Sequence, residues 1–132
     1  MHALEIILVA KIALTIILWA IPTLFFSTPM LKALGFEVPH PRVFLTLYGM
    51  ACVSLTVGYV LGLRSLQLHG TYPTDTIAVG IVSNGGSCAI LIVAALRSVW
   101  KEWGIFARVF MWFSLVATGS ITLGLVMFGP LR

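Results

Sequence analysis

The chain has 132 residues, 60% of them hydrophobic and only 9% charged, with a mean hydropathy of +1.08. A water-soluble domain of this length exposes far more charge, so the composition excludes that class and predicts a polytopic helical membrane protein. The formal charge of +4 does not point to nucleic acid: the Lys and Arg residues stand singly near the ends of apolar runs, where anionic head groups and topology account for them.

A helix that crosses the hydrocarbon core needs roughly 20 mostly apolar residues. Four such runs fit, which predicts an all-α, four-transmembrane-helix bundle in a single domain covering 1–132. The first span is expected at 4–26. Its opening "MHALE" has no basic n-region and no A-x-A site follows, so it reads as a span rather than a cleavable signal peptide; neither end shows a lipidation motif. Lys11 lies about two turns inside and is expected to snorkel its amine to the near interface. Pro22 should loosen the last turns, and Trp19, Phe25 and Phe26 suit the far interface.

"STPMLKALGFEVPHP" follows. Thr28 is expected as N-cap, Pro29 at the first helical position and Gly35 just past the end, which predicts a short interfacial helix at 29–34. Pro39 and Pro41 then force an extended turn. The second span, 43–63, carries Ser54, Gly58 and Gly62 at intervals of four, a small-xxx-small seam for helix packing. The loop "RSLQLHGTYPTD" ends with Asp75 at the positive end of the third helix, and Thr74 or Asp75 is expected to cap it.

The third span, 76–96, contains "IVSNGGSCAI" at its centre. Thr76, Gly80, Asn84 and Cys88 fall on one face, expected to pack on the seam of the second span, with Gly85 and Gly86 allowing close approach. The linker "RSVWKEWG" is read as interfacial, anchored by Trp100 and Trp103. The fourth span is expected at 105–128, before "GPLR". No internal repeat or domain-sized loop interrupts this plan.

Adjacent spans alternate in direction. Arg64, Arg132 and an outward-snorkelling Lys11 therefore face Lys32, Arg42, Arg97, Lys101 and Arg108 across the bilayer. Three against five places both termini outside under the positive-inside rule.

At 1.5 Å of rise per residue, Asn84 lies about 18 Å from the first-loop side, Thr56 and Thr118 about 19–20 Å and Thr15 about 16 Å. With Ser87 nearby, these residues form one polar layer near the midplane. It can be a chamber for the polar end of an amphiphile, with Asn84 as donor and acceptor. It can equally be interhelical or same-helix hydrogen bonding in a packed bundle. Cys52 and Cys88 match in depth, but there is no C-x-x-C for a redox relay. His2, His40 and His69 stand at an end or in loops, so haem ligation within a span and a three-His metal site are not expected. Glu5, Glu37, Asp75 and Glu102 also avoid mid-depth. Small multidrug-resistance transporters are similar in size, but they rely on a membrane-embedded Glu in the first helix, which Glu5 is too near the end to match. No Ser-His-Asp set, phosphate loop or carboxylate pair is present.

"PTLFFSTPMLKALGFEVP" followed by "LYGMACVSLTVGYVLGL" resembles small DoxX-like four-helix membrane proteins over 22–63: an aromatic-ended first span, a short surface helix closing on "LG", and a Gly-rich second span. That group includes oxidoreductase-associated subunits and proteins without an assigned role. The resemblance implies a four-helix bundle and transfers no catalytic residue.

The expected function is a non-catalytic accessory or oligomerising membrane subunit that associates through Ser54, Gly58 and Gly62, with Gly80, Gly85 and Gly86 in helix packing. The alternative is a binder or carrier of a small amphiphile (lipid or quinone) at Asn84, Thr15, Thr56, Thr118 and Ser87. Enzyme activity has the least support, since no general acid, base or nucleophile is suitably placed. No cofactor, metal or nucleic acid is expected. The expected partners are membrane lipids and either a second copy or another membrane protein; the expected location is the bacterial cytoplasmic membrane.

Overall fold

The structure is a computed structural model that describes residues 2–129. Arg132 of the charge count and the end of "GPLR" lie outside the described residues. The fold is a helical bundle of four helices long and apolar enough to cross a membrane, Ala3–Phe25, Val43–His69, Thr74–Leu96 and Ile105–Phe128.

The first of these is not one regular helix. It comprises α1 (His2–Leu14), a π-helical turn (Thr15–Ala20) and α2 (Ile21–Phe25). Pro22 has no N–H and cannot continue the ordinary ladder. The preceding turn widens instead, and the Ile21 N–H reaches back five residues to the Ile16 carbonyl, the geometry of a π-bulge. The short helix α3 (Thr28–Ala33) starts one residue earlier than expected. Ser27, not Thr28, is the N-cap: its backbone is extended and its hydroxyl accepts the Met30 N–H at 3.4 Å. Gly35 ends the segment with φ +84°, as its position after the helix requires. The Arg42 guanidinium reaches back to donate to the Phe26 carbonyl and to Thr28 Oγ1, fastening this segment to the start of α4 (Val43–His69).

α4 runs six residues past the expected boundary. Nothing in "RSLQLH" breaks a helix, although hydropathy falls there; Gly70 ends it with φ +60° and an N–H to the Leu66 carbonyl. α5 is Thr74–Leu96 and α6 is Ile105–Phe128. Pro73 precedes α5 and no side chain caps it, so neither Thr74 nor Asp75 plays the expected capping role. The Tyr72 hydroxyl donates to the Phe128 carbonyl at 2.9 Å, tying the loop before α5 to the end of α6.

The first helix packs against both α4 and α6. α5 lies mainly along α6, while α4 and α5 meet more sparsely. The core is Leu4, Leu8, Tyr59, Leu66, Ile77 and Leu125. These residues come from the start of α1, the second half of α4, the start of α5 and the end of α6, so the dense packing sits at one end of the bundle. Glycines set the helix separations there. A Cβ on Gly80 would come within 2.7 Å of Leu125 Cδ1, and one on Gly62 would collide with the Thr76 side chain. Between lipid-immersed helices such close approach is the main source of attraction, since lipid tails are as apolar as the side chains.

Candidate functional site

Two regions hold the side chains that could do chemistry. The first is the mid-bundle polar layer, whose centre is Lys11. Its amine does not snorkel out. It is 8% exposed, donates to Asn84 Oδ1 at 2.7 Å and lies 5.2 Å from the centroid of the Tyr59 ring. Asn84 is 2% exposed, and its Nδ2 donates to the Gly80 carbonyl at 2.7 Å. Ser83 Oγ donates to the same carbonyl, which leaves it to accept the Tyr59 hydroxyl at 2.8 Å. An amine at this depth needs an acceptor, and an amide oxygen with an aromatic face supplies one neutral solution.

The other residues of the expected layer do not converge on a chamber. Thr15 donates to the Lys11 carbonyl, Thr56 to Cys52, Thr118 to Ser114 and Ser87 to Ser83, each within its own helix. Ser87 is exposed, on the outer side of α5. The layer is mostly same-helix hydrogen bonding, with Lys11–Asn84 as its tie between α1 and α5. The cysteines are free thiols, and Cys88 faces α6, 3.9 Å from the Leu115 carbonyl.

The packing residues divide in the same way. Gly62 and Gly80 are buried against neighbouring helices and Gly85 lies 3.4 Å (from a built Cβ) from Thr122 of α6, but Gly58 and Gly86 meet nothing and Ser54 is exposed. The face of α5 bearing Thr76, Gly80, Asn84 and Cys88 touches α4 only through its first two members. Asn84 turns to α1 and Cys88 to α6. Gly49, not anticipated, is the second close approach on α4, against Thr23 and Leu24.

The second region lies at the opposite end, beneath α3. A cavity of about 420 Å³ opens among Ile17, Leu18, Pro22, Leu45, Phe110 and Met111, with Trp103, Phe36 and Glu37 toward its outer end. Its walls are built from ring contacts. Phe36 meets Trp103, Phe106 and Phe110 edge-on at 5.4–6.2 Å, and Trp19 meets Phe110 and Tyr48 at 5.2 and 5.8 Å. The backbone holds this end shut at one point: the Gly104 N–H donates to the Gly35 carbonyl at 3.0 Å, and a Cβ on Gly35 would stand 2.5 Å from Gly104 Cα. Trp103 Nε1 is buried and finds no acceptor among the described residues. Trp100, expected as an interfacial anchor, is instead 3% exposed and packs edge-on to Trp112.

Among the described residues no group of three His, Cys, Asp or Glu side chains could hold a metal ion. Comparison with protein-family models, with curated proteins and with solved structures finds no match for this chain.

Proposed function

We propose that this chain is a membrane-embedded binder or carrier of a small amphiphile, seated in the aromatic cavity beneath α3 rather than in the Asn84 layer. The observation that carries the reading is the cavity itself. Its volume of about 420 Å³ falls among small-molecule sites, roughly 300–1,000 Å³. Its walls are apolar and aromatic, and its outer end lies where helices α3, α4 and α6 meet the edge of the apolar spans. In the Asn84 layer, by contrast, Asn84 Oδ1, the Lys11 amine and Ser83 Oγ are each already hydrogen-bonded within the protein.

The test is native mass spectrometry of the protein extracted gently from its own membrane. A retained lipophilic mass is expected, and it should be lost from Leu45→Trp, which fills the cavity from α4. Retention at wild-type level in that variant sinks the proposal.

A second reading, association with another copy or a membrane protein partner, is supported by one observation: Ser54 and Gly58 face outward with nothing packed on Gly58. The proposed orientation is argued from charge. With Lys11 turned inward, Arg64 is set against Lys32, Arg42, Arg97, Lys101 and Arg108, a charge balance that supports both termini outside a bacterial cytoplasmic membrane. The DoxX-like resemblance is in keeping with the bundle and adds no site residue.

A further inference from the structure

The cavity beneath α3 has one wall residue with a formal charge, and that charge is negative: Glu37. It is exposed, and its carboxylate forms no ion pair or hydrogen bond among the described residues. The basic residues of the same end are placed differently. Arg42 is turned onto the Phe26 carbonyl and Thr28 Oγ1, while Lys32, Lys101 and Arg108 are exposed, and none of the four lines the cavity. The Thr23 hydroxyl, on the wall, is spent on the Trp19 and Ala20 carbonyls of its own helix.

The depth of the wall residues orders an occupant. Glu37 follows the end of α3 by four residues and precedes α4 by six, so its charge stands at the edge of the apolar spans. Ile17 is eight residues before the end of α2, and Met111 six residues into α6. The cavity thus extends about 9–12 Å along the helix axes below that edge. An occupant that matches has its head at the level of Glu37 and its apolar body running inward. An anionic head would meet a like charge beside low-dielectric walls, where repulsion is stronger than in open water. An uncharged head gains nothing from the carboxylate. A cationic head gains from it, and also from the lining, in which Trp19, Phe26, Phe36, Trp103, Phe106 and Phe110 are aromatic, since ring faces attract cations.

We propose, on the basis of the amphiphile reading above, that the occupant is a lipophilic cation: an ammonium head at Glu37 on an apolar body that fills the aromatic cavity. Glu37 selects the sign of the charge, and the rings and aliphatic walls hold the body.

The discriminating experiment uses the full chain in phosphatidylcholine nanodiscs and two probes of equal chain length and opposite charge, decyltrimethylammonium and decyl sulfate. Equilibrium dialysis measures each, with uptake by protein-free nanodiscs subtracted. The wild-type protein should bind the cation more tightly than the anion. Glu37→Gln should weaken cation binding by roughly three- to tenfold, the effect of one carboxylate acting beside apolar walls, and should leave the anion no weaker. Glu102→Gln makes the same change in net charge at the same end of the bundle without touching the cavity, and should leave cation binding unchanged. Equal binding of the two probes by the wild-type protein overturns the assignment. So does cation binding that survives Glu37→Gln at full strength, or that falls equally in Glu102→Gln, which would make it an effect of the overall field. Leu45→Trp fills the cavity and should abolish the binding of both probes. If neither probe shows binding that Leu45→Trp removes, the cavity reading itself fails, which distinguishes that failure from a wrong ligand charge.

Discussion

The two ends of the bundle are built on different plans. Where α1 begins and α6 ends, branched aliphatics and one tyrosine interdigitate, with Leu8, Ile77 and Leu125 wholly buried and glycines letting backbones approach. At the α3 end, large rings meet edge-on at more than 5 Å, and a cavity remains between them. The difference follows from shape. Small and branched side chains fill the space between helices, whereas rigid rings in edge-to-face contact hold their positions but leave gaps. Lys11 and Asn84 stand between the two regions. The comparison teaches that the polar groups nearest the midplane tie helices together, while the space that an occupant could fill lies at the aromatic end.

The largest expected effect comes from breaking the boundary between the ends. Asn84→Leu removes the acceptor from a buried amine, and should lower stability by about 3 kcal/mol, since a stranded donor loses its solvation as well as its bond. Lys11→Leu combined with Asn84→Leu should recover most of that loss, because nothing polar is then left unpaired. Unfolding in mixed detergent micelles, followed by far-UV circular dichroism, measures both. Equal destabilisation in the single and double variants would show that the two residues are not coupled. The same Asn84→Leu protein, provided it is folded, should retain its bound amphiphile. A loss of ligand without loss of helicity would move the site back to the mid-bundle layer.

The next effect belongs to the aromatic end. Gly35→Ala places a side chain at φ +84° and against Gly104. The left-handed backbone alone costs roughly 1–2 kcal/mol, and the contact adds displacement of the α6 start. The expected result is a modest loss of stability with a large loss of lipid retention, because α3 and Trp103 meet through this pair of glycines. Stability loss with unchanged retention would show that the Gly35–Gly104 contact does not shape the cavity.

Much of the architecture is legible in the residues. Apolar run length places the fourth span at its observed bounds and the third within two residues, and Gly35 marks the end of α3 by its conformational freedom. Hydropathy fails at Arg64–His69 because a helix stops at a breaker, here Gly70, and not where its side chains become polar. Lys11 is misjudged when treated alone. It lies nine residues after His2 and Asn84 ten after Thr74. Both helices rise from the same side, so the two side chains are within about 2 Å of each other in depth, and that match was there to be read. The cavity was not legible, since a space between Phe36, Trp103 and Phe110 depends on ring orientations that no spacing records.

The smallest expected effect tests why the α4 seam was misplaced. Residues four apart rotate by about 40° per step on a helix of 3.6 residues per turn, so a row spaced strictly by fours winds around the cylinder. The buried stripe of α4 mixes intervals of three and four: Gly49, Cys52, Thr56, Tyr59, Gly62, Leu66. Only Gly62 belongs to both rows. Ser54 and Gly58 are exposed, on an open groove between α4 and the start of α5. Gly58→Leu should therefore change the stability of the isolated chain by no more than about 0.5 kcal/mol, as for a surface position. Cross-linking and native mass spectrometry of the same variant then isolate the association reading: a complex that disappears while stability holds assigns this face to a partner. An unaltered assembly, or a protein that is monomeric before the change, leaves the face to lipid and the aromatic cavity as the seat of function.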